Sequence, residues 1–275
     1  MTKIDQADEL RRLVLRTAEN RSSSLPHTIV VSGGKPGVGA TTLAVNVARA
    51  LAGDALRVVL IDADLAQADA ADRCGASGSF AIGDVLAGRK NIHEALVRGP
   101  AGMQILVGSA TAEARGGLGR RPVERLIKQV TSLAPHSDWI VVDAGHEPSE
   151  LTARLWNAAE HVLLATSPDA AAVMDTYALI KTLLTRQPLQ RPLALVVNHA
   201  ASESEAADVW RRIDQSCRRF LGLSIRLAGW LPADRQVGGG RPASDETRLA
   251  AAVSRLTQSL VASRQAANAS RRLAA

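Results

Sequence analysis

The stretch TIVVSGGKPGVGATTLAVNVARAL, residues 28–51, decides the fold that we expect for this chain. It opens with a short apolar run, continues through a loop that contains four glycines, and ends in a segment with the apolar spacing of a helix. Glycine allows the backbone to turn tightly and to bring N–H groups against an anion, and the start of the next helix adds partial positive charge. The sequence therefore predicts a strand, a phosphate-binding loop and a helix in succession.

The loop matches the phosphate-loop template G-x-x-x-x-G-K-[ST] at three positions and departs from it at one. Gly34, Gly39 and Thr41 match, and the Thr41 hydroxyl is the group that this template places on Mg²⁺. Ala40 stands where the template has lysine, whereas Lys35 lies five residues earlier within the loop. Because the chain has only five lysines, a lysine at this place by chance is improbable.

Further apolar runs follow the first, and they are rich in Val, Leu and Ile without alternation, which is typical of parallel strands buried on both faces. We expect strands at 28–33, 57–62, 103–108, 139–144, 161–166, 193–198 and 225–230, and helices at 40–53, 120–134, 170–187, 203–221 and 245–264. The alternation predicts an α/β fold with a doubly wound, mainly parallel sheet.

The composition is that of a globular chain and excludes several other classes. Of the 275 residues, 46% are apolar and 22% are charged, which excludes a disordered, collagen-like or coiled-coil chain. The two cysteines cannot form a disulfide framework, and the N-terminus lacks the apolar core of a secretory signal, so we expect a cytoplasmic protein. The net charge of +6 permits nucleic acid, a membrane surface or an acidic partner without selecting any of them.

The N-terminal segment differs from the rest of the chain. Residues 2–20 have the spacing of an amphipathic helix, and the Ser-rich stretch 21–26 ends in proline and is typical of a tether. A short helix of this kind is marginal alone, so it either folds back on its own domain or binds a partner. We therefore divide the chain into an extension at 1–27 and one nucleotide-binding domain at 28–275.

The loop resembles that of the deviant P-loop ATPases of the MinD/ParA group, which reads KGGVGKTT. Lys35 matches the signature lysine of that family, which reaches the phosphates of the partner subunit in a dimer closed around nucleotide. The resemblance implies a doubly wound ATPase fold, ATP and Mg²⁺ as ligands, and an ATP-dependent homodimer. Pro36 replaces a family glycine and Ala40 replaces the family lysine, although some relatives also carry GVGATT.

Acidic residues after two later strands extend the resemblance. LIDADLAQADAADRCG at 60–75 resembles the family segment IDADLGLANLDVLLG, which implies that Asp62 lies near Mg²⁺ and that Asp64 orients the attacking water. DWIVVDAGHEP at 138–148 resembles the second acidic strand of the family, where Asp143 would hold the metal through water.

Two segments near the C-terminal end, LVVNHA and GWLPADRQV, resemble the parts of the family that lie beside adenine. The resemblance thus implies nucleotide contacts from Gly34, Lys35, Pro36, Gly37, Val38, Gly39, Ala40, Thr41, Thr42, Asn198, Pro232 and Asp234, catalytic roles for Lys35 and Asp64, and metal contacts from Thr41, Asp62 and Asp143. The six histidines show no metal-ligand spacing, and we interpret them as ordinary loop or strand-end residues.

The N-terminal helix resembles the DQAxxLR helix of FlhG-type proteins, which are MinD-like regulators of flagellar number and placement. The matching residues are Asp5, Gln6, Ala7, Leu10 and Arg11. In that family the helix stimulates a GTPase of the signal-recognition-particle type, FlhF. The resemblance therefore favours the partner-binding interpretation of residues 2–20 over the folded-back one.

Ala40 limits the chemistry that we expect. Losing one charge-assisted contact costs about 1.5–3 kcal/mol of binding, whereas losing a cation that stabilises the transferred phosphoryl group costs about 10³–10⁵ in rate. We expect ATP binding with slow hydrolysis that depends on the dimer. Two alternatives stay open: a ParA-type ATPase that partitions DNA, and a pseudo-ATPase scaffold for pilus, secretion or cellulose machinery.

Membrane and DNA contacts are weaker expectations. The apolar residues of the last helix repeat at a spacing that packs it on the sheet, and the final segment lacks the aromatic face of an interfacial helix, so peripheral contact with the inner face of the plasma membrane is an alternative only. The arginine pairs at 120–121, 211–212 and 218–219 are interpreted as solvated helix faces, with DNA contact as the alternative.

Overall fold

The computed structural model describes residues 27–109, 118–189, 191–233 and 248–273. Its strands are β1 (Thr28–Gly33), β2 (Val58–Asp62), β3 (Leu96–Arg98), β4 (Gln104–Leu106), β5 (Trp139–Asp143), β6 (His161–Thr166), β7 (Leu193–Ala200) and β8 (Ile225–Pro232). Its helices are α1 (Ala40–Gly53), α2 (Ala70–Arg73), α3 (Ile82–Ala87), α4 (Ile92–Ala95), α5 (Arg120–Ser132), α6 (Glu150–Ala158), α7 (Ala170–Arg186), α8 (Glu203–Leu221) and α9 (Arg248–Leu273).

One sheet carries all of these strands, in the order β3-β4-β2-β5-β1-β6-β7-β8. Every neighbouring pair is parallel except β3 with β4, which is antiparallel. The predicted α/β fold with a doubly wound, mainly parallel sheet is confirmed. Because parallel strands end at the same edge, the loops after β1, β2, β5 and β7 meet there, which is where doubly wound folds bind ligands.

Both faces of the sheet are buried, as the continuous apolar runs predict. Within β1, Val30 belongs to one apolar cluster, whereas Ile29 and Val31 belong to the other. Helices α1 and α9 pack against the face of Ile29 and Val31, and helices α5 to α8 supply most of the cover on the face of Val30. This burial of branched apolar side chains is the main stabilising contribution to the fold.

The last helix packs as its spacing predicts. Leu249, Val253, Leu256 and Leu260 are each at most 5% exposed and belong to the cluster that includes α1. Arg264 adds a polar anchor, because its guanidinium donates to the carbonyl oxygen of Asp138 at 2.6 Å. Within the described residues, no helix combines the length and the apolar character that a bilayer crossing requires.

Several elements escaped the sequence prediction. Strand β3 and helices α2, α3, α4 and α6 are all short, and the predicted strand at 103–108 is reduced to β4. The N-terminal prediction at 1–27, with its helix at 2–20, lies outside the described residues apart from residue 27, as does the predicted contact of Asp234.

Candidate functional site

A cleft of about 290 Å³ opens at the carboxyl ends of the parallel strands. The glycine loop between β1 and α1 forms its floor, the turns after β2 and β5 form one side, and the end of β8 with the first turns of α9 forms the other. Its lining includes most of the residues predicted to contact nucleotide: Lys35, Pro36, Gly37, Gly39, Ala40, Thr41, Thr42, Asn198 and Pro232. Its size and position are those of a small-molecule site in this kind of fold.

Two glycines give the loop its shape. Gly37 and Gly39 have φ angles of 84° and 87°, in the left-handed region that a side chain disfavours. Gly39 caps α1, and its carbonyl oxygen accepts the amide N–H of Leu43 at 2.8 Å. The preceding N–H groups of the first turn have no acceptor within a helix, so they are available to an anion.

The loop is held against the sheet by contacts at both ends. The Gly33 amide donates to the carbonyl oxygen of Gly145 at 2.9 Å, and the Asn198 side-chain amide donates to the carbonyl oxygen of Val38 at 2.9 Å. Val38 is buried, and a Cβ added to Gly34 would lie 2.4 Å from the Thr176 amide nitrogen. Gly34 and Val38 thus pack on the side of the loop that faces the protein interior, and Asn198 holds the loop in position. Contact between Asn198 and a base stays a prediction.

Two buried carboxyl groups end strands β2 and β5, and neither is among the residues that line the cleft. Asp62 and Asp143 are register partners on β2 and β5, and they are 1% and 0% exposed. Asp143 accepts the Gly145 amide through Oδ1 at 3.1 Å, whereas its Oδ2 atom is buried without a hydrogen-bond partner among the described residues. Burial raises the pKa of Asp143 to about 6, against a lowering effect of the neighbouring Thr41 hydroxyl and of the Gly145 amide.

Burial and the charge of Asp143 together raise the pKa of Asp62 to about 8. Its oxygens accept the backbone amides of Asp64 at 3.3 Å and Ala70 at 3.0 Å. Asp62 therefore holds the segment that follows β2, which is a role that the sequence analysis did not assign. Its predicted place near a metal ion stays a prediction.

The residues fit a magnesium ion that also binds phosphate. The Asp143 carboxyl has one oxygen without a hydrogen-bond partner among the described residues, and the Thr41 hydroxyl neighbours this carboxyl group. Both side chains carry oxygen donors of the kind that Mg²⁺ prefers. Among the described residues, no group of three or more His, Cys, Asp or Glu side chains is arranged to hold a metal. A threonine hydroxyl and a carboxylate are the donor set of a site where Mg²⁺ takes one or two protein ligands and completes its shell with water and phosphate.

Asp64, the predicted water-orienting residue, lines the cleft and is 5% exposed. Its Oδ1 atom accepts the amides of Ala66 at 3.0 Å and Gln67 at 2.9 Å, which fixes the carboxylate. His146 also lines the cleft, and its Nδ1 atom lies 3.9 Å from Asp64 Oδ2. His146 is a loop residue, as interpreted from the sequence, and the loop after β5 brings it to the cleft.

Lys35 lies at the mouth of the cleft and forms an ion pair within its own chain. Its Nζ atom is 3.4 Å from Asp169 Oδ2, and both side chains are at least one-third exposed, at 35% and 57%. Asp169 also caps α7 by accepting the Ala172 amide at 3.1 Å. That hydrogen bond, and then the charge of Lys35, lower the pKa of Asp169.

Arg73 is a cleft residue that the sequence analysis missed. It lies on α2, and its Nη1 atom donates to the Thr42 hydroxyl at 3.3 Å. Its Nε and Nη2 atoms donate to Asp69 Oδ2 at 3.0 Å and 2.5 Å. The Asp–Arg spacing of four residues is the one signal in the sequence that could have indicated a helical turn with an ordered arginine.

The chain matches a known family model and several known proteins. The family model AAA_31, an AAA domain, matches residues 26–192. Over 209 residues the chain is 31% identical to the antiactivator FleN of Pseudomonas aeruginosa, covering 76% of this chain and 74% of FleN. It is 26% identical over 186 residues to the flagellum site-determining protein YlxH of Helicobacter pylori, covering 67% of this chain and 62% of YlxH.

A solved structure shows the same fold. The septum site-determining protein MinD of Pyrococcus horikoshii, in complex with Mg-ADP, superposes with a TM-score of 0.65 at 23% identity. The superposition covers 85% of this chain and 95% of that one.

Proposed function

Because this chain belongs to the MinD/ParA-type P-loop ATPases, we propose that its cleft binds ATP together with Mg²⁺. One observation carries the proposal: the buried Asp143 carboxyl, whose Oδ2 atom has no hydrogen-bond partner among the described residues, neighbours the Thr41 hydroxyl in the first turn of α1. Buried carboxylates without a cation are costly, and free N–H groups at a helix start favour an anion. A metal–phosphate pair satisfies both requirements at once.

In this proposal, different residues bind the phosphates, the metal ion and the attacking water. The loop amides from Gly37 to Thr42 bind phosphate oxygens, and the Thr41 hydroxyl and Asp143 hold Mg²⁺, with Asp62 supporting them from the neighbouring strand. Bound Mg²⁺ supplies positive charge that offsets the charge of the phosphates. Asp64, fixed by the Ala66 and Gln67 amides, orients water at the end of the nucleotide.

The protein acts as a switch in this proposal. ATP closes a homodimer in which Lys35 of each subunit reaches the phosphates bound by the other, and loss of nucleotide opens it. Hydrolysis is slow because Ala40 occupies the position of the template lysine. The switch regulates the number or placement of flagella, as the name of the relative YlxH suggests for that protein.

Nucleotide binding is tested by equilibrium titration with a fluorescent ATP analogue, with Mg²⁺ and then with EDTA in its place. We expect saturation at micromolar to millimolar nucleotide and weaker binding in EDTA. No saturation at millimolar nucleotide would rule the proposal out. A turnover number at background level, together with intact binding, would support the scaffold alternative for the function while leaving the nucleotide site in place.

The partner is a GTPase of the signal-recognition-particle type, bound through residues 2–20. The variant Gln6→Ala/Leu10→Ala changes two residues of the DQAxxLR match, and we expect it to lose stimulation of the GTPase while ATP binding stays intact. The control is Lys3→Ala in the same segment but outside the match. Stimulation of the GTPase that is unchanged in Gln6→Ala/Leu10→Ala would contradict the flagellar function. Strong, salt-sensitive DNA binding in the presence of ATP would favour the alternative of a DNA-partitioning ATPase.

A further inference from the structure

The cleft lacks one positive charge that its loop template calls for, because Ala40 begins α1 where lysine is expected. Among the described residues that line it, Lys35 and Arg73 are the two with a permanent positive charge. Lys35 is paired, near solvent, with Asp169, the residue that caps α7. Within the subunit, this leaves Arg73 as the candidate for the missing positive charge.

Arg73 lies beside the start of α1, where the carboxylate of Asp69 is its one ion-pair partner among the described residues. Its Nη1 atom lies 3.3 Å from the hydroxyl of Thr42, in the first turn of α1. The first turn of a helix carries partial positive charge and unpaired N–H groups, so a guanidinium placed there is repelled. A phosphate bound by the same N–H groups would reverse the sign of this interaction.

Asp69 accepts hydrogen bonds from only some of the N–H donors of the Arg73 guanidinium. The carboxylate accepts from Nε and Nη2, on the edge of the guanidinium away from Thr42, and the side chain of Arg73 is 24% exposed. Arginine has five N–H donors in a rigid fork, so the edge with Nη1 keeps a donor for a ligand in the cleft. The short helix α2 thus presents an oriented cation to the turn where phosphate is expected.

We propose that Arg73 contacts a phosphate of the bound nucleotide and replaces, within the same subunit, the lysine that is absent at position 40. Asp69 positions it. The inference rests on the proposed function, since it requires that the cleft bind nucleotide.

The test compares the affinities of the wild type and Arg73→Gln for a fluorescent ATP analogue in Mg²⁺. We expect Arg73→Gln to bind about 10- to 100-fold more weakly, the loss of one charge-assisted contact. The matched control is Arg89→Gln, which also removes one arginine from an Asp–Arg pair, at 2.9 Å, but outside the cleft lining. Its affinity should equal that of the wild type.

Replacement of the lysine is tested by adding Ala40→Lys. In the Arg73→Gln background, Ala40→Lys should restore most of the lost affinity, whereas in the wild type it should add much less. An equal gain in both backgrounds would overturn the replacement, because the two positions would then act independently. Arg73→Lys, which keeps the charge, should bind between the wild type and Arg73→Gln, and it serves as the test variant if Arg73→Gln does not fold.

Failure of this inference is distinct from failure of the proposed function. If the wild type does not bind nucleotide, the proposed function fails and the inference fails with it. If the wild type binds and Arg73→Gln binds equally well, only the inference is overturned, and Arg73 is then a structural partner of Asp69.

Discussion

Asp62 and Asp143 face each other as register partners at the ends of two neighbouring parallel strands, with exposures of 1% and 0%. Burial raises the pKa of both carboxyl groups, to about 8 for Asp62, where the charge of Asp143 adds to the effect, and to about 6 for Asp143. Ionisation of these two carboxyl groups is therefore unfavourable in the folded protein. A divalent cation would favour ionisation, since it offsets both charges.

The first prediction concerns the stability of the nucleotide-free protein against pH. From about pH 4 to pH 8 the folded state keeps protons on these two groups that the unfolded chain releases, so the free energy of unfolding falls as pH rises. Asp143→Asn removes one charge and keeps the oxygen that accepts the Gly145 amide. We expect this variant to exceed the wild type in stability at pH 8 by on the order of 2 kcal/mol, and to match it near pH 4.

Urea denaturation without Mg²⁺ at the two pH values measures this difference. The same variant should lose the Mg²⁺-dependent part of nucleotide binding, because Asp143 is a proposed ligand. A variant that is less stable than the wild type at pH 8 would contradict the cost of ionising the buried Asp143.

The central elements could be predicted from the sequence because their signals are local and strong. The helix expected at 40–53 is α1 itself, since glycines precede it and a long apolar stripe runs through it. Strand β3 was missed because three residues at the edge of a sheet, Leu96–Arg98, are too few to show a pattern. Its pairing with β4 is decided by tertiary contacts.

The residues of the candidate site likewise fall into those that could be predicted from the sequence and those that could not. Glycines and strand-end aspartates have fixed spacing, so the loop and Asp143 could be found from the sequence. Arg73 and His146 reach the cleft through turns whose direction no pattern encodes. The second role of Asn198, in holding the Val38 carbonyl, depends on a contact across 160 residues of sequence.

The second prediction compares two loop glycines, Gly37 and Gly39, whose φ angles are nearly equal. An alanine Cβ at Gly37 would meet nothing within 4 Å, whereas one at Gly39 would lie 2.3 Å from the Asn198 side-chain nitrogen. Gly37→Ala should cost about 1–2 kcal/mol of stability, from the left-handed backbone alone. Gly39→Ala should cost more and should also weaken nucleotide binding, because it displaces the side chain that holds the loop.

Thermal denaturation and ATP titration of both variants provide the measurement. Equal costs in the two variants would mean that Asn198 moves away freely and does not position the loop.

The third prediction concerns Lys35 as the residue that reaches the partner subunit. Its ion pair with Asp169 is exposed, and such pairs contribute at most about 1 kcal/mol. Lys35→Ala should therefore leave the melting temperature of the monomer nearly unchanged and abolish the ATP-dependent dimer in sedimentation velocity. Asp169→Asn keeps an oxygen for the Ala172 amide and frees the lysine, so its dimer fraction should be at least that of the wild type.

A dimer fraction that is unchanged in Lys35→Ala would count against the reach across subunits. Lys35 would then act within its own subunit, through its ion pair with Asp169 and its place in the cleft lining.

The last prediction separates packing of α9 on the sheet from its insertion into a membrane. Leu256 is 4% exposed within the cluster that includes α1, so Leu256→Ala should lower the free energy of unfolding by about 2–5 kcal/mol. Ser259→Ala, at an exposed position of the same helix, should stay within about 0.5 kcal/mol of the wild type. Because the apolar stripe is already used, neither the wild type nor Ser259→Ala should float with anionic vesicles in ATP. Flotation of the wild type would contradict the prediction that α9 does not bind membranes. A small effect of Leu256→Ala would contradict the packing of its apolar residues on the sheet.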